Sequence, residues 1–404
     1  MEGLAVTQRL YMDNAATSFP KPRCVLEAMT HYANELGASA GRGAYAEARE
    51  TGRLIYQTRE RIGRLINAEK PEHVVFTLNT SDALNLAIKG IVAASKRRPA
   101  HVITTDFDHN SVLRPLNALE QAGLVEQTRL ACDPGTGLID PDDVRRAIRP
   151  HTALIAMVHG SNVTGTLQPI AAVGRIAREQ ATPLLVDAAQ TLGHCPIDVQ
   201  RDHIDLLAFP GHKGLLGPLG TGGLYIRPGV ERAMATLREG GTGSVSERDV
   251  QPEFMPDRFE PGSHNAIGIV GLGAAVGWLL DEGVDKLWDH HRMLIAAMLQ
   301  GLEGDLPGLT LYGPPGVRDR CAVFSVRVAG FDDPQTLSAR LEADYGILTR
   351  SGIHCAPRAH ATLGTAELGG TTRFSFGPFN STQDVTYACD ALAQIAQAQV
   401  VSGV

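Results

Sequence analysis

The chain has 404 residues, 43% of them apolar and 20% charged, with a formal net charge of −7. That length predicts two domains, and the acidic balance excludes a general affinity for nucleic acid or anionic membrane, both of which need a basic face. No apolar run approaches the ~20 residues that span a bilayer. MEGLAVTQRLYMDNAATSFPKP at the N-terminus has no basic segment leading into an apolar one, so no signal peptide is expected and the cytoplasm is.

From about residue 70, short β-branched runs alternate with helical patterns. HVVFTLN (73–79) reads as a strand and SDALNLAIKGIVAASK as the helix after it. HVITTD (101–106) is a strand followed by the helical NSVLRPLNALEQAG. TALIAMVH (152–159) and PLLVDAA (183–189) are strands flanking the helical AAVGRIAREQA, and IDLLAFP and GGLYIRP close the series. Such alternation predicts an α/β domain with a mostly parallel sheet, covered by helices, whose ligand sits at the carboxyl ends of the strands. REGGTGSVSERD (238–249) reads as a surface loop. After FEPGSHN come the helical stretches GIVGLGAAVGWLLDEG and LWDHHRMLIAAMLQGL. The strands LTLYG, VFSVRV and TTRFSFG then interleave with the helices PQTLSARLEADYG and TQDVTYACDALAQIAQ. This α+β pattern predicts a smaller second domain. The division expected is a large domain at 17–265 and a small one made of 1–16 and 266–404. The glycines at 268, 271, 273 and 277 read as close helix packing.

Six cysteines stand at 24, 132, 195, 321, 355 and 389. None forms a C-x-x-C pair or has zinc-ligand spacing, so no metal site is expected, and a disulfide is a poor default in a reducing compartment. Cys389 shares a helical stripe with Val385, Leu392 and Ile395 and reads as core. Cys321 leads into a strand, and Cys24 and Cys195 lack chemical company. Cys355, in LTRSGIHCAPRAH, differs because its surroundings are turn-like and polar.

The chain has neither G-x-x-x-x-G-K-[ST] nor a G-x-G-x-x-G between strand and helix, which argues against ATP and NAD. Asp187 ends the apolar strand PLLVD, where a carboxylate is expensive unless paired. A helix cap or salt bridge would satisfy it, and so would a protonated pyridine nitrogen. The second reading needs a Schiff-base lysine, and Lys213 follows the strand IDLLAFP within the glycine-rich GHKGLLGPLG. Glycines there would let backbone approach a ligand, and burial would lower the amine's pKa. Asn79, Thr80 and Ser81 lie between strand and helix, as an N-cap, a phosphate cradle or both. His109 and Asn162 follow two further strands.

These residues match a family pattern. YMDNAATSFPKP, LNTSDALN, DFDHNS, SNVTGT, VDAAQ, GHKGLLGP, FEPGSHN, RSGIHCAP and TTRFSFGPFN occur in order from residue 11 to 380. The chain resembles the cysteine desulfurases among the fold-type I, class V aminotransferase-like enzymes, which use pyridoxal phosphate. Its short loop with Cys in R-x-G-x-H-C is similar to that of the type II group. The resemblance implies Lys213 as the Schiff-base lysine, Asp187 as partner of the pyridine nitrogen, and His109 as the residue stacked on the ring and able to move protons. Asn162 and Gln190 lie near the ring oxygen, and Thr80, Ser81 and His212 contact the phosphate. Ser263 would reach the phosphate of a second subunit, which implies a homodimer. Arg373 would grip the substrate carboxylate, with Asn14 and Asn162 near the substrate.

Pro210 departs from a common serine of the family and has no hydroxyl, so one phosphate contact is missing or replaced. L-cysteine would bind, Cys355 as thiolate would take its sulfur as a persulfide, and alanine would leave. Arg350, His354 and Arg358 are the expected sources of positive charge beside that thiolate. Arg358 and His360 also admit a reading as exposed charges. A selenocysteine lyase, or a β-eliminating or aminotransferase-like enzyme that ignores Cys355, remain rivals. A non-catalytic scaffold would need neither Lys213 nor Cys355. The implied partners are L-cysteine or selenocysteine and a sulfur-acceptor protein, with no nucleic acid or membrane.

Overall fold

The computed structural model describes residues 9–41, 43–303, 306 and 308–401. In chain order the elements begin with β1 (Leu10–Tyr11), α1 (Arg23–His31), α2 (Ala46–Leu65), β2 (Val74–Thr77), α3 (Thr80–Ala94), β3 (Ala100–Thr105) and α4 (Asn110–Gln121). They continue with β4 (Val125–Leu130), α5 (Pro141–Ala147), β5 (Thr152–Val158), α6 (Ile170–Glu179), β6 (Leu184–Asp187), β7 (Leu206–Pro210) and β8 (Gly222–Ile226). The remainder are α7 (Ala266–Glu282), α8 (Val284–Gly301), β9 (Leu309–Tyr312), β10 (Val323–Val328), α9 (Pro334–Tyr345), β11 (Ile347–Leu348), β12 (Arg350–Gly352), α10 (Pro357–Thr362), β13 (Thr371–Ser375) and α11 (Thr382–Val401).

The main sheet has seven strands in the order β2-β8-β7-β6-β5-β3-β4. Neighbours are parallel except at β8, which runs against both β2 and β7. Strands β5, β6 and β7 are near-continuously apolar because helices cover both faces. Ile155, Met157, Leu184, Val186, Leu207 and Phe209 point into the core under α1, α2, α6 and α7. Their neighbours Leu154, Ala156, Leu185, Leu206 and Ala208 point into the core under α3 and α4. The period of two along each strand thus feeds both cores.

A smaller antiparallel sheet, β12-β13-β10-β9, carries α8, α9 and α11 around a separate core. β1 pairs in parallel with β11, Leu10 beside Ile347, which brings the N-terminal segment into this second unit. Cys389, Val385, Leu392 and Ile395 line its core as the stripe predicts. The core divides later than the expected boundary after residue 265. α7 packs on α1 and α2 within the large unit, through Ile269, Val270, Leu272, Ala275 and Val276. Its glycines permit this: a Cβ at position 273 would lie 2.2 Å from Thr58 Oγ1, and one at 271 would lie 2.7 Å from Met29. The second core takes over at Leu294, Ile295 and Met298 of α8. Among the described residues no single helix is long and apolar enough to cross a membrane.

Candidate active site

Carboxyl ends of β2, β3, β5, β6 and β7 open on one cavity, lined by Thr80, Ser81, His109, Asn162, Asp187, Gln190, His212 and Lys213. With Asn79, nine residues singled out in the sequence therefore converge. Four further lining residues, Ser111, Val158, Gly160 and Ala189, complete the wall.

Asp187 ends β6 and is 2% exposed. Its Oδ1 accepts a hydrogen bond from Ala189 N (2.9 Å). Burial raises its pKa, while that hydrogen bond and the Lys213 charge pull the other way. Lys213 faces the cavity, and burial, followed by the Arg373 charge, lowers its pKa from 10.5 to about 8. The backbone just before it is held from the N-terminal segment. His212 O accepts from Ser18 N (3.0 Å), Thr17 Oγ1 (3.1 Å) and Lys21 Nζ (2.8 Å), and His212 Nδ1 meets Thr17 Oγ1 (3.0 Å). Burial brings Lys21 itself to about 8. The motif TSFPK thus fixes the lysine loop, a role the sequence pattern alone does not disclose.

The glycines of this loop serve a purpose other than the one expected. A Cβ at position 211 would lie 2.0 Å from Thr221 Oγ1, and one at 214 would lie 2.3 Å from Leu192 O. They let the protein pack against itself, behind the cavity. Pro210 pairs with Gly222 at the end of β7 and is absent from the cavity wall.

At the opposite wall α3 begins. Asn79 caps it by accepting from Asp82 N (3.0 Å), and Ser81 Oγ meets Ser111 Oγ (2.6 Å). His109 caps α4: its Nδ1 accepts from Ser111 N (3.0 Å). An N–H can only donate, so Nδ1 carries no proton and the ring's proton sits on Nε2. Burial lowers this histidine to about 4, so it is neutral near pH 7. The buried Asp108 beside it accepts from Thr105 N (2.7 Å) and Val158 N (2.7 Å), joining the β3–α4 turn to β5.

Arg373, on β13, is 1% exposed. Its Nη1 donates to Asn162 O (3.1 Å) and its Nη2 to Asp13 Oδ1 (2.7 Å), while Nε has no partner. Arg350 lies directly across β12–β13 from it. Asp13, which holds Arg373, was passed over in the sequence in favour of its neighbour Asn14; neither Asp13 nor Arg373 lines the cavity. Asn14 is absent from the cavity wall, and its amide is spent on Ser375 O, Asn380 Oδ1 and Phe19 N. Ser263 lies exposed on the loop before α7 and does not line the cavity of its own chain.

Cys355 is exposed, and none of the six cysteines is in a disulfide. His354 and Cys355 both have left-handed backbone, at φ 50° and 58°, a conformation that non-glycine residues adopt at a cost of about 1–3 kcal/mol. The large unit holds this turn. Asn110 N donates to Cys355 O (2.8 Å) and Asn162 Nδ2 to His354 O (2.6 Å). His354 does not supply the expected charge: burial, then Arg373, lowers it to about 2. Nor is His360 an exposed charge, since it is buried and lowered to about 4. Arg358 is exposed and stands 3.7 Å from Asp106. Of the three expected sources of charge, Arg350 and Arg358 are left, and Arg358 faces Asp106.

The aminotransferase class-V family model matches residues 10–387. The chain belongs to this family. A probable cysteine desulfurase of Methanothermobacter thermautotrophicus is 35% identical, the match covering 96% of this chain and 94% of the relative. The cysteine desulfurase IscS of Clostridium botulinum (strain Hall) is 30% identical, over 96% and 95%. Among solved structures, the apo cysteine desulfurase of Thermococcus onnurineus superposes with a TM-score of 0.88 at 31% identity, covering 96% of this chain and 95% of that one.

This family works with pyridoxal phosphate, and the cavity fits it. Asn162 Oδ1 is a buried acceptor with no partner. Asp187 is a buried carboxyl able to face a protonated ring nitrogen, and Lys213 is an amine of lowered pKa in the same wall. The N-terminus of α3, with the hydroxyls of Ser81 and Ser111, suits a dianionic phosphate.

Proposed function

We propose that the protein is a pyridoxal-phosphate-dependent cysteine desulfurase that converts L-cysteine to L-alanine and carries the sulfur on Cys355. The single observation behind this reading is the placement of Cys355. An exposed thiol sits on a strained turn, tied by Asn162 to a cavity that holds Lys213 and Asp187. An aminotransferase or β-eliminating enzyme would have no use for that arrangement.

Thr80, Ser81, Ser111 and His212 would hold the phosphate, Gln190 and Asn162 the ring's oxygen side, Asp187 its nitrogen, and Lys213 its reactive carbon. Bound there, pyridoxal phosphate supplies the electron sink that lets the substrate's Cα–H bond break. Arg373 positions the substrate carboxylate, its plane set by Asp13 and Asn162 O. Lys213, neutral in a large fraction near pH 8, takes the α-proton and returns it. His109 offers a proton from Nε2. Cys355 Sγ, as thiolate, attacks the substrate sulfur. An S–S bond forms as the C–S bond breaks, the electron pair stays with the substrate carbon, and protonation there yields alanine. A homodimer in which Ser263 of a second copy reaches the phosphate, a protein acceptor for the persulfide and residence in the cytoplasm belong to the same proposal. Free thiols suit that compartment.

Product analysis tests it. Cofactor-loaded protein given L-cysteine and a reductant is expected to release alanine and sulfide in equal amounts, and Cys355→Ser to release neither. Pyruvate, or alanine formed at the wild-type rate by Cys355→Ser, would overturn the reading in favour of an eliminating enzyme or a selenocysteine lyase.

A further inference from the structure

His212 shares the cavity wall with Thr80, Ser81 and Ser111, the hydroxyls of the proposed phosphate end. Burial, then the charges of Lys213 and Lys21, lower its pKa from 6.5 to about 4, so its ring carries a single proton near pH 7. A neutral imidazole donates from one nitrogen and accepts at the other. A phosphate dianion offers acceptors only, so the ring nitrogen that meets it must be the protonated one. Pro210, on the same segment, has no hydroxyl to substitute for that donor.

Nδ1 of His212 is committed to Thr17 Oγ1 (3.0 Å), which leaves Nε2 for the cavity. Where the ring proton sits is decided by where the Thr17 hydroxyl sends its own. Two acceptors lie in its reach, His212 Nδ1 and His212 O (3.1 Å). The carbonyl is already taken. Ser18 N (3.0 Å) and Lys21 Nζ (2.8 Å) can only donate, and between them they occupy its two lone pairs. Ser18 Oγ, which accepts from Lys21 Nζ (2.7 Å), stands 3.1 Å from the same oxygen as a further donor. One free acceptor remains to Thr17, and it is Nδ1.

We infer that Thr17 is a positioning residue that sets the tautomer of His212: its hydroxyl donates to Nδ1, so that Nε2–H faces the cavity as a phosphate donor. The segment TSFPK divides the work. Ser18 and Lys21 saturate His212 O, and Thr17 is left to orient the ring. The opposite tautomer would turn a lone pair toward the phosphate, and without the hydroxyl nothing selects between the two. The inference rests on reading the cavity as the cofactor site.

The test compares how tightly full-length apo-protein binds pyridoxal phosphate and pyridoxal, the same aldehyde without the phosphate, each followed by its absorbance on attachment. Thr17→Val keeps the shape of the side chain and removes the hydroxyl. It is expected to weaken pyridoxal phosphate about tenfold or more, as loss of a hydrogen bond to a charged group does, and to bind pyridoxal as wild type does. Thr17→Ser, which keeps the hydroxyl, is expected to match wild type with both. Equal weakening of the two aldehydes by Thr17→Val, which a structural role in the lysine loop would give, overturns the inference, as does unchanged binding of both. Wild type that attached neither aldehyde would overturn the cofactor reading and the inference with it. If Thr17→Val does not fold, the wild-type ring decides. In cofactor-loaded protein with 15N-labelled histidine, the His212 signals, assigned by their absence from His212→Gln, are expected to show a bare Nδ1 and a protonated Nε2. The reverse tautomer, or a ring protonated on both nitrogens, overturns the inference.

Discussion

Lys213 shows how a residue's surroundings select its chemistry. An ordinary lysine titrates near ~10.4 and stays charged at neutral pH, whereas burial and the Arg373 charge bring this one to about 8. The sign follows: the neutral, nucleophilic amine gains population as pH rises to about 8 and is saturated above it. Attachment of pyridoxal phosphate to the apo-protein, followed by absorbance, is expected to accelerate up to about pH 8 and then level off. A rate still climbing tenfold per unit between pH 9 and 10 would show an unperturbed lysine. Asp187, Lys213, His109 and Asn162 were legible in the sequence because each follows an apolar strand, and topology alone brings strand ends together. Asp13 was not legible. Its partner Arg373 lies 360 positions away, and the short strand β1 that delivers it has only two residues. Neither the neutral state of His354 and His360 nor the self-packing of the lysine-loop glycines can be read from spacing, since both depend on which side of the loop the core lies.

Among the elements, the loop before α7 matters because it carries Ser263, and its anchor is Glu260. Arg59 on α2 donates Nη1 to Glu260 Oε1 (2.6 Å) and pairs through Nη2 with Oε2, while Phe76 N of β2 reaches the same carboxylate (2.5 Å). Both side chains are almost wholly buried, and the guanidinium stacks 4.4 Å from the Phe76 ring centre. Breaking such a pair from one side leaves a buried charge unmatched. Glu260→Gln is therefore expected to destabilise the protein by about 3–5 kcal/mol in urea unfolding. A loss under about 1 kcal/mol, typical of a surface pair, would contradict the role given to Glu260. The interior strands announced themselves through continuous apolar runs. β4 did not, because VEQTRL is a partly exposed edge strand whose polar residues mask its pairing with β3. α7 was assigned to the wrong neighbour for a related reason. It is apolar all round, so periodicity shows that it is buried but not which core takes it.

For the molecule as a whole, the histidines set the response to acid. Burial lowers the buried side chains of His291 and His360 to about 4 and His354 to about 2. Each stays neutral in the fold but binds a proton in the unfolded chain below about pH 6.5. The unfolded state therefore binds more protons, and stability falls as pH drops through that value. The three together predict a loss on the order of 4 kcal/mol per pH unit between about pH 6 and 5. Asp108, raised to about 6 by burial, opposes this with a smaller contribution of the other sign. Urea midpoints at pH 7.5 and 5.5 check the sign, and equal midpoints would refute it.

Two units meeting at one site, with the lysine on the large one and the thiol on a turn beside the small sheet, make sulfur transfer between them the central claim. It is tested most directly by a single turnover of the cofactor-loaded protein with L-cysteine and no reductant, followed by mass spectrometry of the Cys355 peptide. A gain of one sulfur atom on Cys355, matched by one alanine per chain, is the predicted result. Alanine released with Cys355 left as the bare thiol, and no other cysteine carrying the sulfur, would contradict it.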